Sequence, residues 1–322
     1  MDKKFVIGVD LGGTNVRAAV YGPDGEQVGE RVEIPSKANI GILDCVSAIA
    51  QAVTSCKAAA DVSKIGMAVP GHIQDGVVRW APNFVDETSG EKRQWRDVPL
   101  ASLVSDACGA HVVMGNDANL AALGEYRFGV GKNSARGLVL ITLGTGIGTG
   151  VVLSPECVSG GLSRPTILIG GNGGAPELGH QVIQESGDAH PSGAVSGTLE
   201  AYCCTSSILR RAWQCDNLIH ARSPKDLFDL AEEGVLEAKE VWDETGFWLG
   251  VGIANLINGF APQIIALGGK ISLAGKWILE PAKKSAQSHS IPTLWPETTI
   301  TLAERVEDAG ILGAVALAQE TT

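Results

Sequence analysis

One pattern occurs twice in this chain and limits what it can fold into. FVIGVDLGGTNVRAAVYG (5–22) and GLVLITLGTGIGTGVVLS (137–154) each run from a β-branched stretch through a Gly/Thr-rich turn into a second β-branched stretch. Apolar runs on either side of a short glycine turn read as a β-hairpin. After the first hairpin, EQVGERVEIP (26–35) supplies a third strand, and 39–60 reads as an amphipathic helix, with Ile42, Val46, Ile49 and Val53 at spacings of three and four. KIGMAVPG (64–71) and HVVMGND (111–117) return as strands, the latter leading into a helical 118–129. The second hairpin is followed by a helical stretch near 197–213, a long helix over 236–258, a strand at 262–269, a helix near 275–288 and a final helix from 309. Two βββαβα-like units predict an α/β duplication with ligands in the cleft between its halves. The boundary is expected near 115, giving a small N-terminal lobe (1–115) and a large lobe (116–308), with the helix over 309–322 crossing back onto the first.

The 322 residues suffice for two such units, each with its own core. A formal net charge of −11 opposes sequence-independent attachment to nucleic acid or to anionic lipid, so neither is expected as a partner. Seven cysteines (Cys45, Cys56, Cys108, Cys157, Cys203, Cys204 and Cys215) are odd in number and follow no disulfide framework, which points to a reducing cytoplasm. The opening apolar run is interrupted by Asp10, unlike a signal peptide, and no stretch reaches the ~20 apolar residues of a spanning helix.

The two turns are the first candidate site. A glycine apex lets backbone N–H groups approach a ligand without interference from a Cβ, and phosphate oxygens are their natural partners. In LGGTN (11–15), Gly12 and Gly13 form the apex, Thr14 and Asn15 add side-chain donors, and Asp10 at the strand end has the chemistry to hold Mg²⁺ directly or through water. LGTGIGTG (143–150) offers a second cradle at Gly144, Thr145 and Gly146. Either apex alone reads equally well as a plain turn; together they favour phosphate binding. Neither the P-loop pattern GxxxxGK[ST] nor the dinucleotide fingerprint GxGxxG is satisfied.

Asn116 and Asp117 stand where a strand meets a helix, a usual place for side chains that face a cleft, although on position alone Asp117 reads as the helix cap. GGAPELGH (173–180) and GTLEAY (197–202) bring Glu177, His180 and Glu200, residue types that hold a polyol by its hydroxyls; singly they read as surface groups. Gly268 and Gly269, ending the strand over 262–269, suit close approach of a flat ring or a plain βα turn.

As a set, DLGGTN, GMAVPGHIQDGVVRWAPNF (66–84), NDANLAALGE (116–125), LGTGIGTG, ELGH (177–180), LEAY (199–202) and IIALGG (264–269) resemble the ROK sugar-kinase family of the actin/hexokinase/Hsp70 ATPase superfamily. The resemblance runs in order over nearly the whole chain. It implies a two-lobed, duplicated actin-like ATPase (ribonuclease H-like) fold and ATP-dependent transfer of phosphate to a hexose, glucose first, with fructose, mannose and N-acetylhexosamines as alternatives. By matching positions it makes Asp117 the general base. Asn83, Asn116, Glu177, His180 and Glu200 are then sugar ligands, and Asp10 organises Mg²⁺. Gly12–Asn15 and Gly144–Gly146 take the ATP phosphates, and Gly268 and Gly269 lie by the adenosine. A homodimer is implied as well. The family's repressors share the fold behind a DNA-binding helix-turn-helix, whereas here only Met1–Lys4 precede the first strand, which disfavours a repressor; a non-catalytic sugar-binding or regulatory relative is the other alternative, against which Asp117 and both glycine turns speak.

The sequence departs from its relatives at one loop. Most carry a structural zinc loop of the form CxCGxxGCxE after the GH pair; here HQVIQESGDAHPSGAVSGTLE (180–200) has no cysteine, with His190, Ser192 and Thr198 near the expected positions. Two histidines without thiolates make a poor tetrahedral zinc site, so no structural zinc is expected. Cys203 and Cys204 fall in the following helix, Pro176 replaces the usual glycine before Glu177, and the loop over 154–175 is about ten residues longer than is typical. These differences touch the sugar-side wall and leave the identity of the sugar open.

Overall fold

The structure, a computed structural model, describes residues 5–57, 62–88, 90–189 and 195–321. It divides into two compact units: Met1–Asn133 with Ile167–Pro176 and Glu307–Thr322, and Ser134–Thr166 with Glu177–Val306.

The first unit contains, in chain order, β1 (Val6–Leu11), β2 (Asn15–Tyr21), β3 (Gln27–Pro35), α1 (Ile42–Lys57), β4 (Lys64–Val69), β5 (His72–Gln74), β6 (Val77–Asp86), β7 (Arg93–Val98), α2 (Leu100–Cys108), β8 (His111–Asn116) and α3 (Asp117–Phe128). Its main sheet has the order β3-β2-β1-β4-β8, antiparallel through β3, β2 and β1 and parallel from β1 through β4 to β8. In β1 and β4 nearly every residue is buried on both faces, as parallel strands covered from both sides must be. Ile7, Val9 and Leu11 enter one core with Ile49, Val53, Phe84 and Trp95, where Phe84 and Trp95 meet edge to face at 5.0 Å. Each such fully buried side chain contributes about 1.5–3 kcal/mol.

The second unit contains β9 (Gly137–Leu143), β10 (Ile147–Leu153), Thr166 of β11 (Thr166–Ile167), α4 (Leu199–Cys203), α5 (Thr205–Ala212), α6 (Pro224–Glu232), α7 (Leu236–Phe260), β12 (Ile264–Gly268), α8 (Lys276–His289) and β13 (Thr299–Leu302). Its sheet order, β11-β10-β9-β12-β13, repeats the first: β9 pairs antiparallel with β10 and parallel with β12, which pairs parallel with β13. The two Gly/Thr turns therefore occupy the same place in two copies of one topology.

The last helix, α9 (Ala309–Glu320), covers the other face of the first sheet, placing Ile311, Leu312, Val315 and Ala318 against Val6, Ala19 and Tyr21. Glycines permit this approach: a Cβ on Gly66 of β4 would lie 1.8 Å from the Ala314 carbonyl oxygen, and one on Gly313 would lie 1.6 Å from that of Leu120.

Several expectations change. The helix expected over 39–60 spans Ile42–Lys57, with 58–60 outside the described residues. The stretch near 197–213 is two helices, because Cys204 is extended (φ −79°, ψ 165°) where Thr205 turns its backbone N–H and its hydroxyl onto the Gly144 carbonyl, each at 2.9 Å. Nothing in the sequence reading anticipated the three-stranded sheet β5-β6-β7 or helices α2 and α6.

Candidate active site

In the first unit the candidate residues gather at the C-terminal ends of the parallel strands, where open α/β sheets bind ligands. The turn after β1 is closed by Gly12 N–H donating to the Asn15 carbonyl at 2.9 Å, and Ser36 N–H holds the Thr14 carbonyl at 2.8 Å. Gly13 and Thr14 are exposed. A Cβ on Gly13 would meet nothing within 4 Å, and its φ is not positive. The fold itself therefore does not demand glycine there; what its absence of a side chain keeps open is the approach to the backbone N–H groups.

Asp10, at the end of β1, lies 3.8 Å from Arg17, which also reaches Glu33 at 3.4 Å. Asn15, expected to face phosphate, gives its side-chain amide to Glu33 at 2.7 Å. Burial pushes the Asp10 carboxyl above the usual carboxylate range, Arg17 opposes the rise, and the charge of Asp117 adds to it. The charge of Asp117 is thus felt at Asp10.

Asn116, at the end of β8, accepts the Asn119 N–H at 3.0 Å and donates to the Gly71 carbonyl at 3.0 Å. It is the N-cap of α3, the position the simplest reading of the sequence gave to Asp117. Asp117 is instead the first helical residue, half-buried, and its Oδ1 accepts the Ala118 N–H at 2.9 Å. Burial raises its pKa; the backbone N–H groups of Ala118 and of Asp117 itself pull the other way without overcoming the burial. Asn83 is exposed in the irregular part of β6, just past Trp80 and Ala81, which abut Gly71.

In the second unit another cluster forms at the start of β10. The turn of Gly144, Thr145 and Gly146 is closed by Gly144 N–H donating to the Gly146 carbonyl at 3.0 Å. Gly144, like Gly13, has no close neighbour: a Cβ there would come no nearer than 3.9 Å to the Gly146 oxygen. Glu200, in the first turn of α4, accepts the Ile147 N–H at 2.6 Å, and a Cβ on Gly146 would sit 2.7 Å from the same carboxylate oxygen. Glu177 precedes the short 3-10 turn Leu178–His180, whose Leu178 N–H donates to the Thr149 hydroxyl at 3.2 Å. The short turn carrying Glu177 and His180, and Glu200 from farther along the chain, are thereby both tied to β10.

Gly268 and Gly269 end β12 beside this turn. Gly269 has φ 78°, and a Cβ on it would lie 2.3 Å from the Leu143 oxygen, so backbone packing accounts for that glycine. Its presence is not by itself a sign of a nucleotide.

At the expected zinc loop the described side chains have other partners. Cys203 donates its thiol to the Thr245 carbonyl at 3.6 Å, Cys204 meets the hydroxyls of Ser206 and Ser207 at 3.2 Å, and Thr198 is the N-cap of α4. Among the described residues no three His, Cys, Asp or Glu side chains are grouped to hold a metal; His190 and Ser192 lie outside those residues.

The family profile described as "ROK family" matches residues 6–321. The chain is 32% identical to the glucokinase of Thermotoga maritima over 99% of each chain, and 31% identical to that of Halalkalibacterium halodurans over 97% of this chain and 94% of that one. Its structure is similar to that of a ROK family glucokinase from Streptomyces griseus in complex with glucose and AMPPNP, with a TM-score of 0.78 and 29% identity over 98% of this chain and 100% of that one. With the doubled sheet topology, these matches show that the chain belongs to the ROK family and has its actin-like ATPase fold.

Proposed function

We propose that the protein is an ATP-dependent hexose kinase that transfers the γ-phosphoryl group to a sugar hydroxyl, with glucose as the preferred acceptor. The observation that carries this reading is the placement of Asp117: a carboxylate set at the first position of α3, released from capping by Asn116, and electrostatically coupled to Asp10 beside a glycine turn left open to solvent. Phosphoryl transfer passes through a loose transition state, so positioning and charge neutralisation matter more than nucleophile strength. Asp117 accepts the hydroxyl proton as the new P–O bond forms, a contribution typically of about 10²–10⁴ in rate.

In the first unit, Asn83 and Asn116 hold the sugar with Asp117, and the backbone of Gly12–Asn15 takes phosphate oxygens. In the second, Glu177, His180 and Glu200 hold sugar hydroxyls, Gly144–Gly146 takes phosphate, and Gly268 and Gly269 lie by the adenosine. The donor set fits Mg²⁺ at Asp10, since this carboxylate, raised by burial and by Asp117, gains from a nearby cation. Bound there through water, Mg²⁺ would neutralise charge on the β- and γ-phosphates. The preference for glucose rests on relatives named as glucokinases over nearly their full lengths. We further propose a homodimer in the cytoplasm, where the seven cysteines, none of them in a disulfide in the structure, stay reduced; no described helix is long and apolar enough to cross a membrane.

A coupled assay of sugar-dependent ADP release tests the reading with glucose, fructose, mannose and N-acetylhexosamines, with polyphosphate as a second donor. Glucose with ATP is expected to give the highest kcat/KM. Absence of turnover with every hexose overturns it.

A further inference from the structure

Residues 181–189 and 195–199 form two paired arms flanked by the second unit's proposed sugar ligands, Glu177 and His180 before them and Glu200 after them. Their base is zipped by backbone hydrogen bonds: Leu199 N–H to the Gln181 carbonyl at 3.0 Å, Ile183 N–H to the Gly197 carbonyl at 2.8 Å, and Gly197 N–H to the Asp188 carbonyl at 2.8 Å. Val182 and Thr198 form a bridge between the arms, and Asn255 of α7 donates to the Gln181 side chain at 2.9 Å.

What fixes this loop to the body of the unit is the pair of residues that follows it. The Tyr202 hydroxyl, on a nearly buried ring stacked 4.4 Å from Trp248, accepts the Asp188 N–H at 3.0 Å. Gly187 lies so close above that hydroxyl that a Cβ would be 2.3 Å from it. Arg210 of α5 forms an ion pair with the Asp188 side chain and also reaches the Ala201 carbonyl at 3.4 Å. Asp188 is therefore held by its backbone, through Tyr202 and Gly197, and by its carboxylate, through Arg210. An exposed ion pair alone contributes little; here it closes a loop already registered by a buried hydroxyl.

We propose that Tyr202 and Arg210 are positioning residues that fasten this loop through Asp188. They thereby hold Glu177, His180 and Glu200 in their sugar-binding arrangement. The part concerning sugar rests on the proposed kinase activity; the fastening itself does not.

The test uses the full-length chain as wild type, Tyr202→Phe, Arg210→Ala, Asp188→Ala and the exchange Asp188→Arg/Arg210→Asp. Tyr202→Phe keeps the ring stack and removes only the acceptor. Amide hydrogen exchange is expected to quicken at least tenfold at 183–189 and 195–199 in each single variant, with partial recovery in the exchange variant. The KM for glucose is expected to rise about three- to tenfold, with kcat within twofold of wild type. A zinc-selective chelator should change neither the exchange pattern nor the melting temperature. The proposal is overturned if the variants leave loop exchange unaltered, or if the purified protein holds one equivalent of zinc whose removal loosens these same amides. Should wild type turn over no hexose, the functional reading falls while the exchange measurements still decide the fastening.

Discussion

Asn116 accepts the backbone N–H of Asn119, and by taking the cap of α3 it frees the neighbouring Asp117 from that structural duty. A helix N-terminus offers several unsatisfied N–H groups and a partial positive charge, and an Asx residue at the N-cap satisfies one of them. The division of labour between two adjacent residues leaves the Asp117 carboxylate at the helix start without the capping role. Asn116→Ala should lower stability by about 1 kcal/mol through loss of the cap, read as a lower melting temperature. Asn116→Asp should retain much of that stability, yet place a second negative charge beside Asp117 and move the acidic limb of the kcat pH profile upward.

Replacing Asp117 by Asn should slow turnover by about 10²–10⁴ and, at the same time, raise the melting temperature. Burial holds the folded pKa of Asp117 above its unfolded value, so the native state binds more protons than the unfolded chain between the two. The carboxylate is stability-neutral while protonated, and its ionisation destabilises the fold as pH rises through that window. The stability advantage of the Asn variant should be complete above the folded pKa and close as pH falls toward 4. Thermal melts across pH check the sign; an Asn variant less stable at pH 7 would show that Asp117 is held by favourable contacts instead.

Gly13→Ala and Gly144→Ala should fold normally, because a Cβ at either place meets no near neighbour. Both should raise the KM for ATP about tenfold, roughly 1.4 kcal/mol of binding, with little change in the KM for sugar. Gly66→Ala is the contrasting control: its Cβ would collide with the Ala314 carbonyl, and such overpacking costs about 3 kcal/mol. Steady-state kinetics and melting curves on the three variants separate a ligand-facing glycine from a packing one.

Arg17→Met should remove the guanidinium that counters the rise in the Asp10 pKa. The Mg²⁺ concentration for half-maximal activity is expected to increase several-fold at pH 6 and to recover as pH rises and Asp10 regains its charge. A magnesium titration at two pH values reads this directly.

The chain's local chemistry determined a good deal. The repeated hairpins, the strands at 64–69 and 111–116, the long helix α7 and the doubled α/β plan are legible because hydrophobic period and turn glycines are local properties. Which glycines the packing itself requires was not legible, because Gly13 and Gly269 look alike in sequence. Only the fold sets one in open space and presses the other against Leu143. Nor could sequence say that Asn116 caps α3, that Glu200 binds the Ile147 N–H, or that Tyr202 and Arg210 reach back to Asp188. Each of these depends on where distant segments arrive, which packing decides and no local pattern encodes.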